Sequence, residues 1–146
     1  MKHVIKFLNA LRNDYNLDND EIREACAEIG HDDNDDFTVG DYRVIAEPHI
    51  DKIMQDGLAS DEYTLGCFNS WFLASILDID EEVITACQER EAFEAVGKMV
   101  LSMGKLEELQ QEYVSADGYG HHFAHYDGHT HEFTANGVNY YAFKVN

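Results

Sequence analysis

"HHFAHYDGHTHEFTANGVNYYAFKV", residues 121–145, is the stretch that decides the fold class. It contains the dipeptides Asp127-Gly128 and Asn136-Gly137, which are among the strongest short-range signals for a two-residue hairpin turn. The helical periodicity of the preceding chain also ends near Gly118. The stretch therefore predicts an antiparallel meander of three strands, at 121–126, 129–135 and 138–145.

The chain before this stretch predicts helices, because apolar residues recur three and four positions apart between capping signals. Asp18 and Asp80 suit N-caps, and Gly30 and Gly104 suit helix ends. Segment 37–45 is compatible with either one strand or an extended linker. The predicted helices are 3–12, 18–30, Pro48 to about Gln55, Ser60 or Asp61 to Leu77, 81–88, 90–103 and a last turn or two through Tyr113.

These elements predict a single α+β domain over residues 1–146, in which the helical N-terminal two-thirds packs on the C-terminal three-stranded antiparallel meander. A chain of this length with 45% hydrophobic residues can bury a core. The helical core is expected to contain Leu65, Phe68, Trp71, Phe72 and Ile76. The buried face of the sheet is expected to carry Phe123, Tyr141, Phe143 and Val145.

The N-terminal segment and the cysteines predict a cytoplasmic protein. Residues 1–16 are briefly basic and amphipathic but lack a long apolar core and a cleavage site, so we interpret them as a helix of the mature protein. Cys26, Cys67 and Cys87 are widely spaced among apolar residues, which is typical of buried thiols in a reducing compartment. No apolar run approaches the ~20 residues that span a bilayer, so no membrane partner is expected.

Five of the eight histidines lie between residues 121 and 131. A two-residue loop at 127–128 would place His122 diagonal to His131, with His129 on the same face of the sheet. Three imidazoles in that arrangement can bind Zn²⁺ and leave a fourth position open for a hydrolytic water. A metal-binding or metal-dependent hydrolytic protein using His122, His129 and His131 is therefore one hypothesis. The plainer interpretation is a set of polar, half-exposed positions on a small sheet.

No motif in the chain indicates a catalytic activity. Residues 32–43 resemble a calcium-binding loop, but Phe37 stands where glycine is required and Arg43 where glutamate is required. Residues 74–88 have the spacing of a helix–turn–helix, yet three acids open its second helix and would repel phosphates. The sequence also lacks a phosphate loop, a dinucleotide-binding fingerprint and a nucleophile elbow. We therefore expect no enzyme, no cofactor and no direct contact with nucleic acid.

The charge balance is strongly acidic, since 29 acidic residues against 10 basic ones give a formal net charge of −19. Such a chain repels nucleic acid and anionic membranes and attracts basic proteins. A solvated acidic surface without a specific partner is the plainest interpretation. The distribution of the acids along the chain bears on whether this surface binds a basic partner or is only solvated.

Acidic residues are concentrated in two blocks. Asp18–Asp36 holds nine acids and one base, and Asp78–Glu94 holds seven acids and one base. In the first block, Glu21, Glu24 and Glu28 recur every ~4.5–6 Å along one face of the predicted helix. This face and the loop after it could fill a cationic groove built for phosphates, which recur every ~3.4 Å along a DNA strand. The residues predicted to bind such a partner are Asp20, Glu21, Glu24, Glu28, Asp32, Asp33, Asp35 and Asp36.

The segments "DDFTVGDYRVIAEPHIDKIMQDGLASDEYTLGCFNSWFLASIL" (35–77) and "ADGYGHHFAHYDG" (116–128) resemble small acidic proteins encoded by bacteriophages, prophages and related mobile elements. The resemblance covers most of the chain from residue 35 onward and implies a phage-type gene product in a bacterial cytoplasm. Small acidic phage proteins include inhibitors of restriction and CRISPR complexes, some of which imitate DNA. By this analogy we expect a non-enzymatic inhibitor that binds a basic host protein or nucleoprotein complex. The resemblance carries over no catalytic or binding residue.

Overall fold

The computed structural model of the chain describes residues 36–146 except Gly40 and Asn136. The helices predicted at 3–12 and 18–30 lie outside the described residues. Two compact units can be distinguished. We call residues 51–116 the helical unit, and the described residues among 36–50 and 117–146 the sheet unit. The prediction of a single domain over the whole chain stays a prediction.

Along the described chain, a first hairpin is followed by a run of helices and then by a second hairpin. The elements are β1 (Asp36–Val39), β2 (Tyr42–Ala46), α1 (Glu47–Ala59), α2 (Glu62–Gly66), α3 (Ser70–Leu77), α4 (Glu81–Glu89), α5 (Phe93–Ser102), α6 (Leu106–Asp117), α7 (Tyr119–Phe123), β3 (His131–Ala135) and β4 (Val138–Lys144).

The four described strands form one antiparallel sheet in the order β1-β2-β4-β3. The α+β class predicted from the sequence is therefore confirmed, with two corrections to its sheet. The ambiguous segment 37–45 supplies two paired strands, with Val39 opposite Tyr42. Strand β2 then pairs with β4, with Val44 opposite Ala142, so the sheet has four strands where a three-stranded meander was predicted.

Residues 121–126, predicted as a strand, instead begin inside helix α7 and continue into a loop. A Cβ atom on Gly120 would lie 2.1 Å from the carbonyl oxygen of Gly128, so only glycine allows this close approach of helix and loop. Asp127 still forms the expected turn, because its Oδ1 accepts a hydrogen bond from the His129 amide at 2.9 Å. The turn leads out of a loop and does not join two strands, whereas the strands on either side of the second predicted turn, β3 and β4, do pair, with Ala135 opposite Val138.

The two central strands of the sheet unit are buried on both faces. Val44–Ala46 in β2 and Tyr141–Phe143 in β4 are each three consecutive buried residues, the pattern expected of strands covered on both sides. Helix α7 covers one face, where the Phe123 and Phe143 ring centroids lie 5.0 Å apart. The expected burial of Phe123, Tyr141 and Phe143 is confirmed, whereas Val145, expected on the same face, is half-buried.

The N-cap predicted at Asp80 is confirmed, and of the two alternatives Ser60 and Asp61 for the preceding helix the structure has Asp61. Asp61 accepts a hydrogen bond from the Thr64 amide at 3.1 Å, and Asp80 accepts one from the Glu82 amide at 2.9 Å. The single helix predicted to Leu77 is wrong, because it is broken between α2 and α3. The Gln88 side-chain amide donates to the carbonyls of Gly66 and Phe68 at this break, at 2.9 and 2.8 Å. These bonds satisfy acceptors that a continuous helix would have used internally.

Helices α2 and α5 pack with their backbones in contact. A Cβ atom on Gly66 would lie 1.7 Å from the Phe93 carbonyl oxygen, and one on Gly97 would lie 1.9 Å from the Glu62 carbonyl oxygen. Any side chain at these positions would force the helices apart. The two glycines are therefore required by packing and not by backbone conformation.

A buried polar side chain joins α1 to α6. Gln110 is fully buried. Its Nε2 donates to Asp51 Oδ1 at 2.9 Å, and its Oε1 accepts from Gln55 Nε2 at 2.9 Å. Because the amide is satisfied at both ends, its burial is tolerated and fixes the relative register of the two helices.

None of the helices in the described part of the chain combines the length and the apolar character needed to cross a membrane.

Trp71, predicted as core, is 62% exposed at the start of α3. Leu65 and Ile76 are buried as expected, and Phe68 and Phe72 are half-buried.

Candidate functional site

Seven of the eight acids predicted to bind a partner, Asp20 to Asp35, lie outside the described residues. The eighth, Asp36, opens β1 and accepts two hydrogen bonds from the Arg43 guanidinium, at 2.8 and 2.7 Å. This bidentate pair is the strongest geometry available to a carboxylate and an arginine. Arg43 also lies over the Phe123 ring, with its guanidinium carbon 5.1 Å from the centroid. Asp36 is thus balanced within the sheet unit and is poorly suited to bind a cationic partner.

The three histidines of the metal hypothesis do not share a strand pair. His122 lies on α7, His129 in the loop before β3, and His131 at the start of β3. The rings of His129 and His131 are stacked with centroids 6.4 Å apart, whereas His122 contacts the edge of Phe123. Among the residues that the structure describes, no three His, Cys, Asp or Glu side chains are placed to hold a metal ion. The predicted register was wrong because it needed a strand at 121–126.

The chemistry of His122 is set by its surroundings in the sheet unit. Burial, followed by the positive charge of Arg43 and the neighbouring His121 and His125, lowers the pKa of His122 below its ordinary value. The imidazole is therefore neutral at physiological pH.

The second acidic block, Asp78–Glu94, lies wholly in the helical unit. All seven of its acids are exposed. Asp80 caps α4, and Glu81 accepts a hydrogen bond from Ser70 Oγ at 3.0 Å. The carboxylates that form no hydrogen bond or ion pair with any residue in the described part of the chain include Glu82, Glu89, Glu91 and Glu94.

Other acids of the helical unit are paired with lysines. Asp56 accepts from Lys52 at 2.8 Å, and Glu108 accepts from Lys105 at 3.1 Å. Exposed pairs of this kind add little stability, but each places a positive charge beside the carboxylate. The α4 acids differ because the one base in their block, Arg90, forms no ion pair with a described residue.

Helix α4 also carries an outward apolar stripe. Val83, Ala86 and Cys87 recur at spacings of three and four, with Arg90 next on the same side of the helix. Together with Glu82 and Ala92 they line an open, shallow groove of about 490 Å³ whose surface is almost wholly apolar. Val83 is 50% exposed. This groove was not predicted, because the spacing of apolar residues in α4 indicates ordinary helix packing and does not show which side of the helix stays exposed.

The apolar groove borders an acidic strip on the same helix. Glu81, Glu82, Thr85, Ala86 and Glu89 line an adjoining depression of about 280 Å³. Glu82 and Ala86 belong to both surfaces. We call the combination the acid-rimmed groove: Val83, Ala86, Cys87 and Ala92 at its floor, with Glu82 and Glu89 at its rim.

An exposed tyrosine on α2 adjoins the C-terminal end of the acidic block. Tyr63 is 54% exposed and its ring contacts Phe93 edge-on, with centroids 5.3 Å apart. Electrostatic repulsion from Cys67 and its hydrogen bond with the phenol raise the pKa of Tyr63, with smaller contributions from burial and then from Glu91. Cys67 is exposed and Cys87 half-buried, so the expectation of buried thiols is wrong for Cys67. Cys26 lies outside the described residues.

The acid-rimmed groove has the chemistry of a binding surface. It offers fixed negative charge beside solvent-exposed apolar surface, and protein interfaces gain attraction from the first and affinity from burying the second. No protein-family model, curated protein or solved structure matches the chain.

Proposed function

We propose that the protein is a non-enzymatic acidic binding protein that occupies the positively charged, nucleic-acid-binding surface of a host defence complex. In this proposal it acts in a bacterial cytoplasm as a phage-type inhibitor of a CRISPR or restriction complex. The observation that supports it is the run of exposed carboxylates on α4 and its flanks that pair with no residue in the described part of the chain, within a chain of net charge −19.

Two carboxylates of α4 present negative charge to a surface that normally binds a phosphate backbone. Glu82 and Glu89 lie seven residues apart on one helix, which is about 10.5 Å at the usual rise per residue. That length equals the axial rise of about three nucleotides in a DNA strand. Two carboxylates over that length are fewer than the phosphates of the strand, so the proposal depends on the attraction of a cationic surface by charge and not on a phosphate-by-phosphate match.

The field of the whole helical unit supports the same interaction. Its fourteen acids and four bases give a formal net charge of −10 over residues 51–116. Such a charge steers a cationic surface toward the protein from a distance and weakens as salt is added. In this proposal the acids between Asp20 and Asp35, which are predicted to bind the partner, add to the same attraction.

The first test is functional. Bacteria that express the chain alongside an active CRISPR or restriction system are challenged with a phage that the system normally blocks. We expect phage plating to recover when the chain is present. If no system in a representative panel is inhibited, the proposed function is wrong.

The second test uses a purified complex that the chain inhibits. The chain should displace labelled DNA from that complex, and its affinity should fall as salt rises. Neutralising the four unpaired acids with Glu82→Gln, Glu89→Gln, Glu91→Gln and Glu94→Gln should weaken displacement by about tenfold or more. The matched control carries an equal change of charge at Asp56→Asn, Glu107→Gln, Glu108→Gln and Glu112→Gln.

The control separates a local site from net charge. If both four-residue variants lose displacement equally, the inhibition depends on overall charge and not on α4. Replacing Glu21, Glu24, Glu28, Asp32 and Asp33 by neutral isosteres tests the predicted N-terminal part of the surface in the same assay. Unchanged displacement by that variant would remove those residues from the site.

A further inference from the structure

Charge alone does not explain the floor of the acid-rimmed groove. Val83 and Ala86 are exposed, and with Cys87 and Ala92 they form an apolar surface. A helix that served only as a solvated acidic face would carry polar residues at these positions. Apolar surface framed by charge is instead typical of a site that receives a side chain from another protein.

The spacing of the groove indicates the shape of its occupant. Val83, Ala86 and Cys87 lie along one side of α4, so a second helix alongside it could place apolar residues three or four positions apart against them. Glu82 and Glu89 flank that side at an interval of about two helical turns. A helix with lysine or arginine at the same interval would meet both carboxylates.

The charge of the rim also argues against a second copy of this chain as the occupant. Two acid-rimmed grooves brought together would oppose Glu82 and Glu89 with like charges, which is unfavourable at an interface. The helical unit carries net charge −10, so the repulsion extends beyond the groove itself. A cationic partner meets no such penalty.

We propose that the acid-rimmed groove docks a basic amphipathic helix of the protein partner, which places an apolar side chain on Val83, Ala86 and Ala92 and its lysines or arginines on Glu82 and Glu89. This inference rests on the proposed function and specifies the chemistry of the partner. It adds a short-range, salt-resistant component to an attraction that would otherwise be purely ionic. Arg90 at one end of the groove disfavours a basic residue there and so gives the bound helix a direction.

Two synthetic helical peptides of equal length and equal positive charge test the inference on the full chain. The anchored peptide carries two leucines at positions i and i+4, and the charge-only peptide carries glutamines there. Each is titrated into isotopically labelled protein at about 50 mM salt, with affinity and amide shifts followed by nuclear magnetic resonance. We expect the anchored peptide to bind at least about tenfold more tightly, with the largest shifts between residues 82 and 92.

A matched pair of variants assigns that preference to the groove. Val83→Gln with Ala86→Gln makes the floor polar at exposed helical positions, without changing charge or helix propensity greatly. We expect it to lower affinity for the anchored peptide to that of the charge-only peptide. Met103→Gln, at an apolar residue that is also exposed but lies outside the groove, should leave the preference unchanged.

The outcomes distinguish this inference from the proposed function. If neither peptide binds at low salt, the docked helix is overturned, and the phage-plating assay decides the proposed function separately. If both peptides bind equally, or the anchored peptide shifts residues elsewhere, the docked helix is wrong and an ionic surface remains. If sedimentation shows a dimer of the chain that Val83→Gln with Ala86→Gln dissociates, the occupant is a second copy and the inference is likewise overturned.

Discussion

The Asp36 carboxylate in the sheet unit accepts two hydrogen bonds from one arginine, whereas the carboxylates of Glu82 and Glu89 in the helical unit form no hydrogen bond or ion pair with any described residue. The described sheet unit carries six acids, two bases and six histidines, and the helical unit carries fourteen acids, four bases and no histidine. The comparison teaches that net charge does not identify a binding surface. What matters is which carboxylates have already been neutralised by the fold.

The largest expected effect is a loss of stability when the packing of α2 against α5 is disturbed in the helical unit that carries the α4 acids. Gly97→Ala would place a methyl group 1.9 Å from the Glu62 carbonyl oxygen, so α5 must move away from α2. We expect the free energy of unfolding to fall by about 3 kcal/mol, as measured by urea denaturation followed by circular dichroism. If close packing of α2 and α5 does not hold the helical unit together, the loss will be small.

Gly57→Ala is the matched control. Gly57 also lies in a helix, α1, but a Cβ there meets nothing within 4 Å. Because alanine favours a helix more than glycine does, this variant should gain about 0.5–1 kcal/mol. Equal losses in the two variants would contradict the packing explanation.

The second prediction tests whether Asp36 is structurally engaged. Arg43→Ala removes the bidentate pair with Asp36 and the contact with the Phe123 ring. We expect the unfolding free energy to fall by about 1–2 kcal/mol, since the pair is partly buried and ring-stacked. Lys52→Ala removes the exposed pair with Asp56 and should cost less than about 0.5 kcal/mol. A similar small loss in both would mean that Asp36 is no more engaged than a surface acid.

The smallest expected effect is the pH response of the sheet unit. Because the native state lowers the pKa of His122, its stabilising contribution is complete above the ordinary histidine pKa and is lost as the pH falls through that range. We expect the wild type to lose stability relative to His122→Gln between about pH 7.5 and 5.5. His49→Gln, an exposed residue on α1, is the control. Parallel curves for the wild type and His122→Gln would contradict the effect of burial.

Local chemistry made the helical unit the more predictable of the two. Asp61 and Asp80 accept from amides three and two residues away, respectively, so their capping could be recognised from the sequence. Gly104 ends α5 with a positive φ of 66°. The break between α2 and α3 escaped prediction because Gln88, about twenty residues away, supplies the hydrogen bonds that satisfy it.

Long-range contacts made the sheet unit less predictable. The pairing of β2 with β4 joins residues separated by the whole helical unit, and no turn signal indicates it. The turn signal at Asp127-Gly128 favoured a strand over 121–126, but the contact of Gly120 with the Gly128 carbonyl favours a helix and loop. The predicted metal site depended on the same strand, because only the register of that hairpin would bring its three histidines together.

The negative charge of the candidate site was predicted from the sequence, but its apolar groove was not. The density of acids in Asp78–Glu94 is a property of the sequence. The exposure of Val83 depends on which side of α4 packs against α3 and α5. Periodicity does not determine the packed side, because Ile84 offers a second apolar side of the same helix. Trp71 was assigned to the core for the same reason.

The most direct test of the central claim is a residue-by-residue measurement of electrostatic potential near the surface. Amide relaxation is recorded with a cationic and with a neutral paramagnetic cosolute of similar size, and the ratio reports how strongly each site attracts a positive charge. We predict the most negative potential in the described chain at residues 81–94, more negative than around the lysine-paired Asp56 and Glu108. A potential that is uniform over the exposed acids, or weakest along α4, would contradict the claim that unpaired carboxylates define this binding surface.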